Sequence, residues 1–286
     1  MINIEKFIKT RKSLGLSQTD LCHGVCTQST LSKFENNGQV PSFKILKQLC
    51  DRMNISIADI MMTSKESAMA QKMFDADFCF ITYDYEQIRK LLKQVNPKKL
   101  ADRQDELHYN YLAGQLALDG DHDDVSALYY FNAILTTPNL KANNIYRLLA
   151  LKGCSQVYAS QNDLDKASYY FDQILPQIKK VEIKDSLTQL QVMSVLTAAG
   201  EFYGNIKQYS HADDLLNYAY QVASGHHAVY FVARVLLQLA VNDLAQGRPK
   251  QLARQHASDA MAFARLNHNE VVLEKGRELL DQLQAG

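Results

Sequence analysis

The sequence predicts an all-α protein in two parts, a small head of short helices and a longer array of helical hairpins. Three observations predict it. Helix breakers are scarce, with 12 Gly and 5 Pro in 286 residues. Apolar residues recur every three to four positions along most of the chain. From about residue 85 onward, similar segments return after about 40 residues.

Composition narrows the class. With 47% hydrophobic and 22% charged residues the chain has the balance of a packed globular protein, not a disordered one. The run Val229 to Val241 is broken by Arg234 and is shorter than the roughly 18–20 residues of a membrane span. Met1 to Thr10 mixes charged with apolar residues and lacks the apolar core of a secretory signal. The expectation is a cytoplasmic protein with no membrane partner. The five cysteines (22, 26, 50, 79, 154) sit in helical patterns and read as reduced thiols. Cys22, His23 and Cys26 lack the second ligand pair of a zinc site. No cofactor or metal is expected.

In the head, Ile4, Phe7, Ile8 and Arg11 to Leu14 form a first helix that stops at Gly15. Ser17 caps a second helix, Gln18 to Val25, with Leu21, Cys22 and Val25 on one face. Thr27 caps a third, Gln28 to about Asn36, with Leu31 and Phe34 inward and Asn37-Gly38 as its stop. Ser42 caps a fourth through Met53, with Phe43, Leu46, Leu49 and Cys50 inward, and a short fifth holds Ile57 and Ile60. Residues 1–60 carry eight basic against five acidic side chains on a chain that is neutral overall. A basic head on a mildly acidic body suits phosphate binding by the head.

The strings Gly-Leu-Ser-Gln-Thr-Asp-Leu (15–21) and Thr-Gln-Ser-Thr-Leu-Ser-Lys-Phe-Glu-Asn-Asn-Gly (27–38), with Pro41-Ser42 after them, resemble the helix-turn-helix of the lambda repressor and Cro superfamily, the XRE type. The resemblance implies that the third helix enters the major groove of double-stranded DNA, with Gln28, Ser29 and Lys33 facing base edges. Thr27, Thr30 and Ser32 lie beside them, and Gln18 can present its amide to a phosphate. Glutamine suits adenine N6 and N7, and lysine suits guanine O6 and N7.

The body begins after a connector, residues 63–71, that follows a head of residues 1–62. Asp124 to Leu135 and Leu164 to Leu175 align with Ala127 over Ala167, and the same small position recurs as Ala212 and Ala253, with Ile88 upstream. Five helical hairpins follow, and residues 269–284 read as a closing helix over a repeat domain spanning 72–286. Tyr158 before the Gln161-Asn162-Asp163 turn, and Tyr203 before Ile206 to Tyr209, complete a pattern that resembles tetratricopeptide (TPR) repeats, longer than the usual unit of about 34 residues. Asp119-Gly120-Asp121-His122-Asp123-Asp124 departs from a calcium loop in its glycine position and in having Tyr130 at the twelfth place, so it reads as an inter-helix turn. No phosphate loop, zinc-protease helix or nucleophile elbow occurs, and the reading is not an enzyme.

An XRE head joined to about five elongated TPR units resembles the RRNPP family of peptide-responsive transcription regulators, in particular its PlcR and Rgg groups. Pro41-Ser42 with Ile45-Leu46, Asn144-Ile145-Tyr146 and Phe171 to Leu175 with Gln177 carry the PlcR side of it. The resemblance implies quorum sensing: a homodimer that binds an inverted-repeat operator and a short signalling peptide in the TPR groove. Where the family uses asparagines to hold the peptide backbone, this chain has Lys152 and Ala198. The TPR template makes Lys152, Gln156, Ser194, Gln238 and Asn242 the peptide-binding candidates, with Tyr146, Leu149 and Tyr230 as apolar neighbours. The alternative reading is a DNA-binding regulator whose repeats dock a protein partner, with no peptide.

Overall fold

A computed structural model describes residues 2–60, 64–100, 102–229 and 231–285. Among these, the chain forms fifteen α-helices in two compact units. The first unit comprises residues 1–72 and 94–107, the second 73–93 and 108–286. The expected boundary at 62/63 falls in residues 61–63, outside the described ones, and the connector is part of a longer helix, α5 (Ser64–Cys79).

The first unit contains α1 (Ile4–Ser13), α2 (Gln18–Cys22), α3 (Gln28–Asn37) and α4 (Phe43–Arg52), then a 3-10 turn at Ile57–Ile60. Side-chain caps start each α-helix: Asn3, Ser17, Thr27 and Ser42 accept backbone N–H groups of their first turns. Gly15 and Gly38, with φ of +69° and +70°, end α1 and α3 in the left-handed conformation that favours glycine. α2 stops at Cys22, short of Val25, because Gly24 turns left-handed and Arg52 Nη1 takes the carbonyls of Leu21 and His23 at 3.0 and 2.5 Å. Phe7, Leu21, Leu31, Phe34, Leu46, Leu49 and Ile60 close one core, in which the Phe7 and Phe34 rings meet edge to face at 5.0 Å. Phe43 does not join it. At the first position of α4 its side chain is 71% exposed, which corrects the inward placement expected from spacing.

Residues 94–107 belong to this unit, and one contact from α1 reaches them that only the three-dimensional structure shows. Glu5 accepts the backbone N–H of Arg103, 3.0 Å away, at the first residue of α7 (Arg103–Asp119), so a carboxylate of α1 caps the start of α7. Burial is the main influence on Glu5 and pushes its pKa up, while the Arg103 N–H opposes the shift.

The second unit stacks helical hairpins. α6 (Tyr85–Leu92) follows α5, and the pairs continue as α7 with α8 (Asp124–Leu135), α9 (Ile145–Ser160) with α10 (Leu164–Ile178), α11 (Ser186–Asn205) with α12 (Tyr209–Gly225), and α13 (Val232–Ala245) with α14 (Lys250–Leu266), closed by α15 (Glu270–Ala285). Ile88, Ala127, Ala167, Ala212 and Ala253, the positions aligned by sequence, are all fully buried. Close approach also depends on glycine. Gly114 of α7 and Gly153 of α9 both abut the Phe131 ring, and a Cβ added at Gly114 would stand 2.7 Å from it. α9 and α11 are buried around most of their circumference, whereas α10 and α12 keep an exposed face. In the turn at 119–124, Asp121 pairs with Arg89 and Asp123 caps α8. No helix among the described residues is long and apolar enough to cross a membrane.

Candidate functional site

At the N-terminus of α3, Gln28 Nε2 donates to Gln18 Oε1 at 2.7 Å, and Gln18 Nε2 donates to Glu35 Oε2 at 2.8 Å. Glu35 is held in turn by Arg11, whose Nε and Nη2 reach its two oxygens at 2.7 and 2.8 Å, while Arg11 Nη1 donates to the Leu16 carbonyl at 2.6 Å. The Arg11–Glu35 pair is nearly dry, with side chains 9% and 3% exposed. Three residues from three helices therefore orient one exposed glutamine, which offers an adenine-matching amide with much of its ordering already done. Ser29 and Lys33 are exposed on the same helix. Thr27 is the cap expected of it: its hydroxyl accepts the Thr30 N–H at 3.2 Å and meets Thr30 Oγ1 at 2.8 Å. Ser32 Oγ accepts from the Asn36 amide at 3.0 Å.

The second unit holds three adjoining cavities lined mainly by the first helices of its hairpins. The smallest, about 110 Å³, is walled by Tyr83, Tyr85, Tyr111, Gln115, Lys152, Gln156, Ser194 and Arg234. Next to it, and sharing Tyr83 and Arg234, a cleft of about 570 Å³ has an apolar floor of Leu237, Val241, Val271 and Leu279 with Gln238, Lys275 and Glu278 around it. A third, of about 390 Å³, shares Gln156 and Asp119 with the first.

Lys152, Gln156 and Ser194 thus meet in one cavity, and Gln238 lies in the next. Lys152 is buried, donates to Ser194 Oγ at 3.1 Å and sits over the Tyr111 ring at 5.4 Å. Burial lowers its pKa to about 8, against the opposing pull of Asp119. Asn242 is elsewhere. It is fully buried, accepts from Gln238 at 2.9 Å and donates to Asp213 at 2.8 Å, so its amide ties α13 to α12 and is not presented to the cavities. Tyr146 and Leu149 are also buried in packing, Tyr146 against His108, and Tyr230 lies outside the described residues.

Residues 8–60 match the Helix-turn-helix family. The head is a helix-turn-helix domain. All seven DNA-facing candidates, Gln18 to Lys33, fall inside the matched segment. Over the whole chain, the structure is similar to that of PlcR from Bacillus thuringiensis in complex with the peptide PapR7 and DNA, with a TM-score of 0.67, 16% identity, and coverage of 96% of this chain and 99% of that one. It is also similar to ComR from S. thermophilus in complex with DNA and its signalling peptide ComS (TM-score 0.59, 15% identity, 98% of each chain), and to apo ComR from Streptococcus vestibularis (0.59, 15%, 98% and 97%). The fold of this chain, helix-turn-helix followed by helical repeats, is theirs. No curated protein sequence matches the chain.

Around the helix-turn-helix face and the cavities, sequence spacing missed the residues whose roles depend on distant partners. Arg234 donates from Nε and Nη2 to the two oxygens of Glu201, at 2.9 and 2.6 Å, across 33 positions. Tyr83, in the turn between α5 and α6, and Tyr85, the first residue of α6, reach the small cavity. The apolar cleft floor needs α15, whose Val271 and Leu279 read in sequence only as a closing helix.

Proposed function

We propose that this chain is a sequence-specific DNA-binding transcription regulator, acting as a homodimer, whose output is set by a short peptide bound in the cavities of its repeat unit. The observation that carries the DNA half is the Arg11–Glu35–Gln18–Gln28 relay, which spends a buried ion pair on orienting one surface glutamine at the start of α3. A core has no use for such an arrangement, whereas base readout does. For the peptide half, three neighbouring cavities share lining residues, and the largest of the three pairs apolar Leu237, Val241, Val271 and Leu279 with polar groups, a lining suited to an extended chain whose amides need partners. PlcR and ComR, which share the fold, have been solved with a peptide and DNA together. The protein-docking reading has one point in its favour, the exposed Val125, Tyr129 and Tyr169 on α8 and α10.

The test is selection of duplexes from a randomised DNA pool by the full-length protein. The expected outcome is an enriched inverted repeat with half-sites one or more helical turns, about 34 Å, apart. A pool that remains unenriched would refute the reading.

A further inference from the structure

Lys152 is an ammonium taken out of water with no carboxylate at ion-pairing distance among the described residues. Every neighbouring acid is engaged elsewhere or stands off. Glu201 is held by Arg234, Asp119 accepts from Gln115 Nε2 at 2.7 Å, and Asp77 is bound to His108. Among the described residues, the one hydrogen-bond acceptor at Lys152 is the Ser194 hydroxyl. A buried cation without a counter-ion is costly, and a ligand anion would remove that cost.

The same cavity holds a second unmet group of opposite character. Gln115 donates its amide to Asp119 and, at 3.3 Å, to Gln156, which fixes its orientation and leaves Oε1 buried with no protein donor. The cavity therefore lacks one anion and one N–H. A peptide's last residue supplies both, its carboxylate and its backbone amide, within a few atoms. At about 110 Å³ the cavity admits a chain end and not a whole peptide, while the adjoining 570 Å³ cleft has the room and the apolar floor for the residues that precede it.

We infer that the cavity around Lys152 and Gln115 is a carboxy-terminus socket, in which the ammonium of Lys152 binds a peptide's terminal carboxylate and Gln115 Oε1 accepts its last amide N–H. The inference deepens the peptide reading above and rests on it for the identity of the ligand, although the anion site is testable by itself. A carboxylate side chain offers the charge without the adjacent N–H, so the socket discriminates between the two.

Two measurements decide it. In the first, full-length protein carrying ¹³Cε-labelled lysine is titrated with N-acetylglycinate or N-acetylglycinamide, and the Lys152 resonance is followed across pH. The charged groups facing Lys152 are Asp77 on α5, Asp119 on α7, Glu201 on α11 and Arg234 on α13, with Tyr111 alongside, and all are present in both titrations. N-acetylglycinate is expected to shift the resonance saturably and to raise its titration midpoint, and the amide to do neither. Identical behaviour with the two compounds overturns the socket, whatever peptides do.

In the second, pooled random heptapeptides bearing either a free carboxylate or a terminal amide are retained on immobilised protein. Free acids are expected to be enriched at least tenfold over amides by the wild type. Lys152→Gln, and Lys152→Met as a second variant of similar volume, are expected to lose that preference. Equal retention of both pools by the wild type overturns the socket and leaves the peptide reading standing. Retention of neither pool removes the peptide reading, and the N-acetylglycinate titration then decides the anion site alone.

Discussion

The side-chain amide of Gln28 points its Nε2 at Gln18 Oε1, 2.7 Å away, and so joins the start of the third helix to the start of the second. Because Gln18 is itself fixed by Glu35, the conformation of Gln28 is set before any base arrives. Replacing Gln28 by Ala should weaken binding to the selected operator by about 1–3 kcal/mol and leave binding to random duplex nearly unchanged. Fluorescence anisotropy on the two duplexes measures both. Undiminished discrimination by Gln28→Ala would remove this residue from the readout.

Arg11→Met should act further back along the same relay. It leaves the Glu35 carboxylate buried without its counter-ion, so urea unfolding of the full chain should show a loss of about 3 kcal/mol in the head transition. Operator discrimination should fall as well, because Glu35, which anchors Gln18, loses the guanidinium that holds it in place.

Thr27→Ala should separate stability from specificity. The hydroxyl caps α3, and its removal should cost about 1 kcal/mol of stability. Once the protein is folded, the ratio of operator to random-duplex affinity should stay close to that of the wild type. A large change in that ratio would mean that Thr27 reads DNA directly.

Gly153→Ala puts a methyl group into the Phe131 ring and should destabilise the repeat unit by about 1–3 kcal/mol. Adding Phe131→Leu should restore part of that loss, so the double variant is less destabilised than the two single changes summed.

Lys152 makes the stability of the repeat unit depend on pH in a stated direction. Its folded pKa of about 8 lies below the unfolded value near 10.5, so the unfolded chain binds more protons between the two. Stability should therefore rise with pH across that window, recovering about 3 kcal/mol that is forfeited below pH 8. The gap in melting temperature between Lys152→Met and wild type should accordingly narrow from pH 7 to pH 10.

What could be read from the sequence follows from how local each signal is. The hairpin register was legible because a small residue at a helix crossing recurs with a fixed period, and Ala127, Ala167, Ala212 and Ala253 are all fully buried. The caps Ser17, Thr27 and Ser42 were legible because each acts within its own first turn. Phe43 was misplaced because spacing gives the face of a helix and not where the core ends along its axis. Asn242 fits a groove template by position, yet Asp213, 29 residues away, draws it into the packing. The socket was half legible: Lys152 and Ser194 came from the repeat pattern, whereas Gln115, whose partners are set by side-chain orientation, carried no signal.

The cap that Glu5 places on α7 bears on how such proteins can be inherited. A head that ended at residue 62 could be exchanged between relatives like a cassette, at any crossover in the linker. Here residues 94–107 belong to the head's own unit, so a recombinant joined at 62 pairs the first helix of one parent with the α7 start of another. The cap draws on a backbone N–H that almost any residue at 103 supplies, so a swapped head keeps it only where the incoming α1 carries a carboxylate at the place of Glu5 and the α7 start lies where it does here.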